Sequence, residues 1–327
     1  MKAIVCDRYG PPEVLRLEDV ERPVPRDNKV LVKIYASSLN ATDFEILGGG
    51  VWPRIAGPFR PRNRIPGSDV AGRIVKVGRS IKRLKEGDAV FGDLFMSGHG
   101  AFAEFVAVPE GVLMLKPKSI SFEDAATLPQ AAKIALQGLR GKRPLKKGQK
   151  VLINGAGGGM GTFAVQIAKY YGTEVTAVDS AGKLEMLRSI GADHVIDYQR
   201  EDCTRSGERY DLILDTVARR SIFDYRRVMA HDGLFVLVGG SRYAIFQAML
   251  LGPMVSIASK KKMGINPWKV NVEEDMRFLL ELHEKGKLSP VVDRRISLSE
   301  VPQALSDLSN GLVKGKVVIT VAHDDDT

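Results

Sequence analysis

The stretch Val151-Leu152-Ile153-Asn154-Gly155-Ala156-Gly157-Gly158-Gly159-Met160-Gly161-Thr162 decides the fold of this 327-residue chain. A short apolar, β-branched run leads into a segment almost free of bulky side chains. Residues 162–171 then place Phe163, Ala164, Ile167 and Ala168 on one face of a helix. Strand, glycine-rich turn and helix in that order let a backbone approach a pyrophosphate at a helix N-terminus. Against the dinucleotide fingerprint the stretch reads Ala156-x-Gly158-x-x-Gly161, and Asp179 falls 18 residues beyond Gly161, at the end of the next strand-like run. This context assigns Ala156, Gly157, Gly158, Gly159, Met160 and Gly161 to cofactor binding; a merely tight turn is the plainer alternative.

Outward from this loop the same rhythm repeats. Runs 174–178, 194–196, 212–214 and 234–238 are apolar and β-branched, with helix-length segments between them, which predicts a parallel sheet covered on both faces. Right-handed crossovers make this half a doubly wound α/β domain. Upstream, residues 1–120 show short β-rich runs at 30–34, 70–77, 88–91 and 101–108, broken by Gly, Pro and Asp, which predict a small barrel or sandwich. The segment 122–139 is Ala-rich and helical in period. Near the end a helix capped at Ser299 runs towards Leu308, and a last strand over 316–321 returns to the first domain. The expected division is therefore 1–123 with 287–327, and 124–286 between them.

The residue ending the second strand bears on cofactor choice. A carboxylate at Asp179 suits an unmodified ribose 2′-hydroxyl and repels a 2′-phosphate, which favours NADH. Ser180 and Lys183 can instead hold a 2′-phosphate while Asp179 turns away, which favours NADPH; Lys183 as a solvent residue of the first helical turn is the bland reading. The spacing leaves the two cofactors open.

Composition sets the outer bounds. With 44% hydrophobic and 27% charged residues the chain is an ordinary globular protein, not a disordered or collagen-like one. Two distant cysteines, Cys6 and Cys203, offer no disulfide framework and no structural zinc loop, so a reducing, cytoplasmic setting is expected. The start, Met1 to Arg8, has neither the apolar core of a signal peptide nor the composition of a transit peptide. A net charge of +9 is mild, and groups such as Lys260-Lys261-Lys262 read as solvated loop ends, so nucleic acid is not expected as a partner. Residues 243–259 are apolar, but the run falls short of the about 20 residues of a membrane span and contains Gln247, Gly252 and Pro253. No membrane partner is expected from it; it reads as buried or interfacial protein surface.

Further motifs carry a resemblance along essentially the whole chain. These are Asn40-Ala41-Thr42-Asp43, Pro66-Gly67-Ser68-Asp69-Val70-Ala71-Gly72, Gly87-Asp88-Ala89-Val90, Gly100-Ala101-Phe102-Ala103-Glu104, Ala125-Ala126-Thr127-Leu128-Pro129, Gly191-Ala192-Asp193-His194 and Gly315-Lys316-Val317-Val318. In this order they resemble a zinc-independent member of the medium-chain dehydrogenase/reductase superfamily, of the quinone oxidoreductase type. The resemblance implies a GroES-like β-barrel catalytic domain completed by the C-terminal strand, a Rossmann-type dinucleotide domain, an active site where the two meet, and a homodimer. The apolar stretch 244–257 needs a partner to cover it and points the same way.

Zinc-using relatives carry Cys where this chain has Asn40 and His where it has Ser68, and neither replacement is a good zinc ligand. No zinc is therefore expected. Without a Lewis acid, hydride delivery to a quinone or enone is easier than alcohol oxidation, because the electrons run onto an oxygen that needs only hydrogen bonds and a proton. The candidate catalytic residues are Asn40, as donor to the acceptor oxygen or the nicotinamide ribose, Asp43, and Ser68 beside Asp69. Their structural alternatives are a local turn for Asn40, a cap on a helix starting at Phe44 for Asp43, and a turn for Ser68. Gly239, Gly240 and Ser241 match the family's contact with the nicotinamide end, or simply end a strand. A zinc-free alcohol dehydrogenase and a non-catalytic, NAD(P)H-binding regulatory or RNA-binding protein are the alternatives to a quinone or enone reductase.

Overall fold

In a computed structural model, residues 1–140, 143–240, 242–258, 260–265 and 269–323 are described. The chain divides into two units, Met1–Gln130 with Val270–Arg277 and Val292–Thr327, and Ala131–Lys269 with Phe278–Val291.

The first unit is built around the long strand Lys29–Ser38, whose alternating inward residues Val30, Val32, Ile34 and Ala36 are fully buried. On one side it pairs antiparallel with Asp69–Val77. On the other, its first half pairs with Phe105–Pro109 and its last residues with the C-terminal strand Lys316–Thr320, so that Val318 faces Ser38. Strands Ala89–Asp93 and Leu113–Leu115 extend the sheet past Asp69–Val77, and Val292–Ile296 lies outside the C-terminal strand. The predicted late helix is Val301–Ser309, with Glu300 as its N-cap; a short 3-10 turn, Leu298–Glu300, precedes it and is capped by Ser297, whose N–H donates to Glu300 Oε2 at 2.8 Å, so that Ser299 lies inside this turn and does not cap the helix.

The first unit runs on to Gln130, past the break at 123 that the change of rhythm suggests, and side-chain bonds explain why. Ser38 Oγ donates to the carbonyl of Ala126 at 2.8 Å, and Asp69 Oδ1 accepts the N–H of Gln130 at 3.1 Å. The predicted helix over 122–139 is accordingly broken into Phe122–Ala125, a π-helical turn Leu128–Ala132 and Lys133–Arg140. Pro129 has no N–H to give the helix, and that of Gln130 goes to a carboxylate instead.

The second unit holds a six-stranded, wholly parallel sheet. Its order is His194–Asp197, Glu174–Asp179, Lys150–Asn154, Tyr210–Asp215, Met229–Leu237, Lys262–Ile265. The reversal of order beside Lys150–Asn154 is the switch point where open α/β sheets bind ligands. Its hydrophobic core includes Leu152, Ile213, Tyr225 and Phe235. The apolar stretch after residue 242 is a helix, Arg242–Ala258, only one side of which is buried. Among the described residues no helix is long and apolar enough to cross a membrane.

Candidate active site

In the second unit, strand Lys150–Asn154 delivers the chain into the glycine loop, and helix Gly159–Tyr170 leaves it with Gly158 as N-cap. Gly155 has a positive φ of 79°, and Gly161 lies so close to the strand end that a Cβ there would stand 2.3 Å from the carbonyl of Gly155. Bare backbone N–H groups at the start of a twelve-residue helix thus face outward from the loop, as a pyrophosphate site requires. Ala156 is buried beneath the loop, whereas Gly158, Gly159 and Met160 are half-buried at its rim.

Asp179 does not present its carboxylate outward. Oδ2 accepts the N–H of Gly157 at 2.7 Å and Oδ1 that of Ser180 at 2.9 Å, while the Lys183 ammonium lies 3.5 Å from Oδ1. Lys183 is buried, with its stem across Gly157, where a Cβ would stand 2.6 Å from Lys183 Cδ. Lys183 is therefore not the solvent residue of a first helical turn, and Asp179 serves the loop itself.

One organiser of this loop escapes sequence reading. Asp215, wholly buried at the end of its strand, accepts from Asn154 Nδ2 at 2.8 Å and from the N–H groups of Val217 and Ala218 on Oδ1. It fixes the turn on which Gly239 and Gly240 rest: Gly240 has φ +122°, and a Cβ there would come within 2.4 Å of the carbonyl of Val217. Ser241 lies outside the described residues.

In the first unit, the structure brings Asn40, Asp43 and Ser68 into one buried cluster. Helix Ala41–Leu47 begins three residues earlier than expected, with Asn40 as N-cap and Asp43 in its first turn. Asp43 Oδ2 accepts the N–H of Asn40 at 2.8 Å, so the capping role of Asp43 is realised, on a helix that starts at Ala41 rather than Phe44. Its Oδ1 is buried with no partner among the described residues, and burial pushes its pKa up to about 7.

The amide of Asn40 is committed at both ends. Its Oδ1 accepts from the Lys316 ammonium at 2.6 Å, and its Nδ2 donates to Asp69 Oδ2 at 2.8 Å and, at 3.4 Å, to Ser68 Oγ. Ser68 Oγ also accepts from Gln130 Nε2 at 3.4 Å, and Gln130 Oε1 accepts from Thr42 Oγ1 at 2.6 Å. Asp69 gathers Ser38 Oγ at 2.9 Å and Lys316 at 3.5 Å. Burial raises the pKa of Asp69 and lowers that of Lys316, and each charge partly offsets the shift of the other. Lys316, which the sequence offers only as the head of the closing strand, is thus the cation on which the cluster turns. The sequence shows only a lysine opening an apolar strand, and neither its burial nor its partners.

The donor set does not fit a zinc ion. The oxygen of Asn40 is occupied by an ammonium, Ser68 is neutral, Asp69 is paired with that same ammonium, and Asp43 is turned to the N–H of Asn40. Among the described residues no group of three His, Cys, Asp or Glu could hold a metal.

A GroES-like half carrying a buried polar cluster and a doubly wound half carrying a glycine loop define a class, the two-domain dinucleotide oxidoreductases. Comparison narrows it. Residues 26–118 match the alcohol dehydrogenase GroES-like domain and residues 190–319 the zinc-binding dehydrogenase family. The chain is 34% identical to 2-methylene-furan-3-one reductase of Solanum lycopersicum, over 98% of this chain and 79% of that protein. It is 33% identical to the NADPH-dependent alkenal/one oxidoreductase of Arabidopsis thaliana, a chloroplastic protein, with the same two shares. The solved quinone oxidoreductase of Coxiella burnetii superposes with a TM-score of 0.89 at 30% identity, covering 98% of this chain and 99% of that one. The chain belongs to the medium-chain dehydrogenase/reductase superfamily, among its quinone and enone oxidoreductases.

Proposed function

We propose that this protein is an NADPH-dependent, zinc-independent reductase of quinones and other α,β-unsaturated carbonyls. The observation that carries the reading is the Lys316 ammonium seated on Asn40 Oδ1 and beside Asp69, a cation where zinc-using relatives hold their metal ligands. Bound in the glycine loop, NADPH supplies the hydride, and the acceptor takes it with one proton from water.

The residues of the chain bind and orient. The loop from Ala156 to Gly161 and the helix N-terminus behind it hold the pyrophosphate. Asp179 stiffens that loop through Gly157, leaving Ser180 and Lys183 to take the 2′-phosphate, and the name of the Arabidopsis relative points to the same cofactor. Gly239 and Gly240 take the nicotinamide end. Asn40, with no donor to spare, acts as a positioning residue: it and Gln130 direct their N–H groups at Ser68 Oγ, which frees the hydroxyl proton of Ser68 for the acceptor oxygen. Asp43 holds Asn40 in turn.

A homodimer formed through the outer edge strand Lys262–Ile265 belongs to this proposal, with sedimentation velocity as its check. So does cytoplasmic residence, which the free, buried Cys6 and Cys203 support and cell fractionation tests. The activity itself is tested by following NADPH and NADH oxidation with a panel of quinones and enones in the presence of a chelator. Turnover that favours NADPH is expected. Activity that the chelator abolishes and zinc restores contradicts the proposal.

A further inference from the structure

Reduction of an enone consumes a proton as well as a hydride, and the buried cluster around Ser68 holds none free to give. The Ser68 hydroxyl can donate a hydrogen bond to the acceptor oxygen, but it holds its proton too tightly to release it near neutral pH. The Lys316 ammonium is taken up by the carbonyl of Leu39 at 2.8 Å, by Asn40 Oδ1 and by Asp69, and Asp43 Oδ1 is sealed from water. An acid has to come from beside the cluster.

The loop that follows strand Ala89–Asp93 returns to Ser68 at both of its ends. Leu94 donates its N–H to the carbonyl of Ser68 at 2.7 Å, and Ala101 donates to that of Gly67 at 3.1 Å. Between them Gly98, His99 and Gly100 all lie in the left-handed region, with φ of 105°, 58° and 106°. Glycine adopts that conformation freely; a bulky side chain held there between two glycines marks a place where the backbone is arranged for the side chain. The ring of His99 is half-buried, edge-on to Phe95 with 5.6 Å between centroids. Every other histidine of the chain has a hydrogen-bond partner for its ring: His194 pairs with Glu174, His231 with Asp232, His283 with the carbonyl of Leu288 and His323 with that of Ile34. The ring of His99 has none among the described residues.

The charge beside His99 is that of Asp93. Asp93 stands opposite Asp69 in the antiparallel pairing, so the two side chains share one face of the sheet, and its charge is felt by Asp43, Asp69 and Lys316 as well as by His99. Burial lowers the pKa of His99, and Asp93 acts against that shift. The other segments against the loop bring no further charge to the ring: Asn63 lies beside Gly98, Val106 lies beside Gly100, and Arg64 is held by Asp7 and Glu18.

We infer that His99 is the general acid of the reduction, a role that rests on the reading of the protein as an enone reductase, and that it gives a ring N–H proton to the acceptor's carbonyl oxygen while Ser68 holds that oxygen. As hydride reaches the β carbon, the π electrons shift through the α carbon onto the carbonyl oxygen, which takes the proton from the imidazolium. The enol so formed returns to the ketone in water, gaining a proton at the α carbon and losing one from the oxygen. Neutral His99 is then reprotonated from solvent, so one hydride and one proton are consumed in each turnover.

The test compares the full-length parent with His99→Asn, which suits a left-handed backbone, and with His99→Gly, following enone reduction by NADPH across pH. For the parent, kcat/KM should fall as pH rises through the His99 pKa, which lies below the ordinary value of about 6.5. In His99→Asn the acidic plateau should be about a hundredfold lower and the fall should be gone. Imidazole added to His99→Gly should restore activity about tenfold or more, which a merely structural histidine does not allow. In the cofactor-free parent, the ring signal of His99, assigned by its loss in His99→Asn, should titrate by NMR; a ring that stays neutral down to about pH 4 is no acid and overturns the inference. A His99→Asn protein with the parent's rate and pH profile overturns it while leaving the reductase reading intact. Lost activity with an unchanged profile and no rescue by imidazole shows a structural role and overturns it as well. A parent protein that reduces no enone overturns both readings together.

Discussion

The Lys316 ammonium donates to the side-chain oxygen of Asn40 at 2.6 Å, joining the strand that ends the first unit to the helix cap near its beginning. Both residues are buried, and the ammonium also stands 3.5 Å from Asp69. Replacing one partner of such a group leaves the other charge buried and uncompensated. Lys316→Met should therefore lower unfolding stability by about 3–5 kcal/mol, measured by denaturant titration. Adding Asp69→Asn should recover part of the loss. A Lys316→Met protein as stable as its parent contradicts the cluster described.

Gly157 and Lys183 make a second test. A methyl group at Gly157 would stand 2.6 Å from Lys183 Cδ and 3.0 Å from Asp179 Oδ2. The lysine is a flexible stem that can swing aside, so Gly157→Ala should leave stability within about 1 kcal/mol of the parent while displacing the ammonium. The dissociation constant for NADPH, followed by fluorescence, should rise about tenfold or more, the equivalent of one charge-assisted hydrogen bond. Unchanged affinity places the 2′-phosphate elsewhere.

Cofactor preference follows from Lys183 itself. Lys183→Ala removes the cation assigned to the 2′-phosphate but no contact assigned to the rest of the dinucleotide. The ratio of kcat/KM for NADPH over NADH should fall about tenfold or more, chiefly through KM for NADPH. An equal loss with both cofactors means that the lysine holds the loop and not the phosphate.

Asp43 predicts a pH dependence of stability. Its pKa, raised to about 7 in the folded chain, lies above the value of about 3.9 it takes when unfolded. The folded state then binds the proton more tightly, so its contribution is whole below about pH 4 and is lost as pH rises towards 7. Asp43→Asn, which keeps an oxygen for the N–H of Asn40, should flatten the fall of the melting temperature over that window. A parallel fall in both proteins shows that Asp43 ionises freely.

What the sequence discloses here depends on how local the determinant is. The glycine loop is legible because strand, turn and helix follow one another within a few residues, each with its own periodicity. Lys316 is not legible, because its partner is 276 residues away and only the pairing of the closing strand with Lys29–Ser38 brings them together. The spacing locates Asp179 correctly but says nothing of where its carboxylate points. Burial and the waiting N–H of Gly157 decide that, and they turn it inward. For Asp43 two readings share one helix: the cap is real, and the unpartnered second oxygen keeps the residue unusual. The start of that helix at Ala41 rather than Phe44 reflects the same carboxylate reaching back to Asn40.

The central claim is that hydride reaches the carbon of a conjugated acceptor, not the carbon of an isolated carbonyl. It is tested most directly by supplying NADPH deuterated at the transferring position of C4, with an enone and a chelator, and locating the label in the product by mass spectrometry and NMR. The account predicts deuterium on the carbon β to a retained carbonyl. Deuterium on a new carbinol carbon, or no transfer until zinc is added, contradicts it.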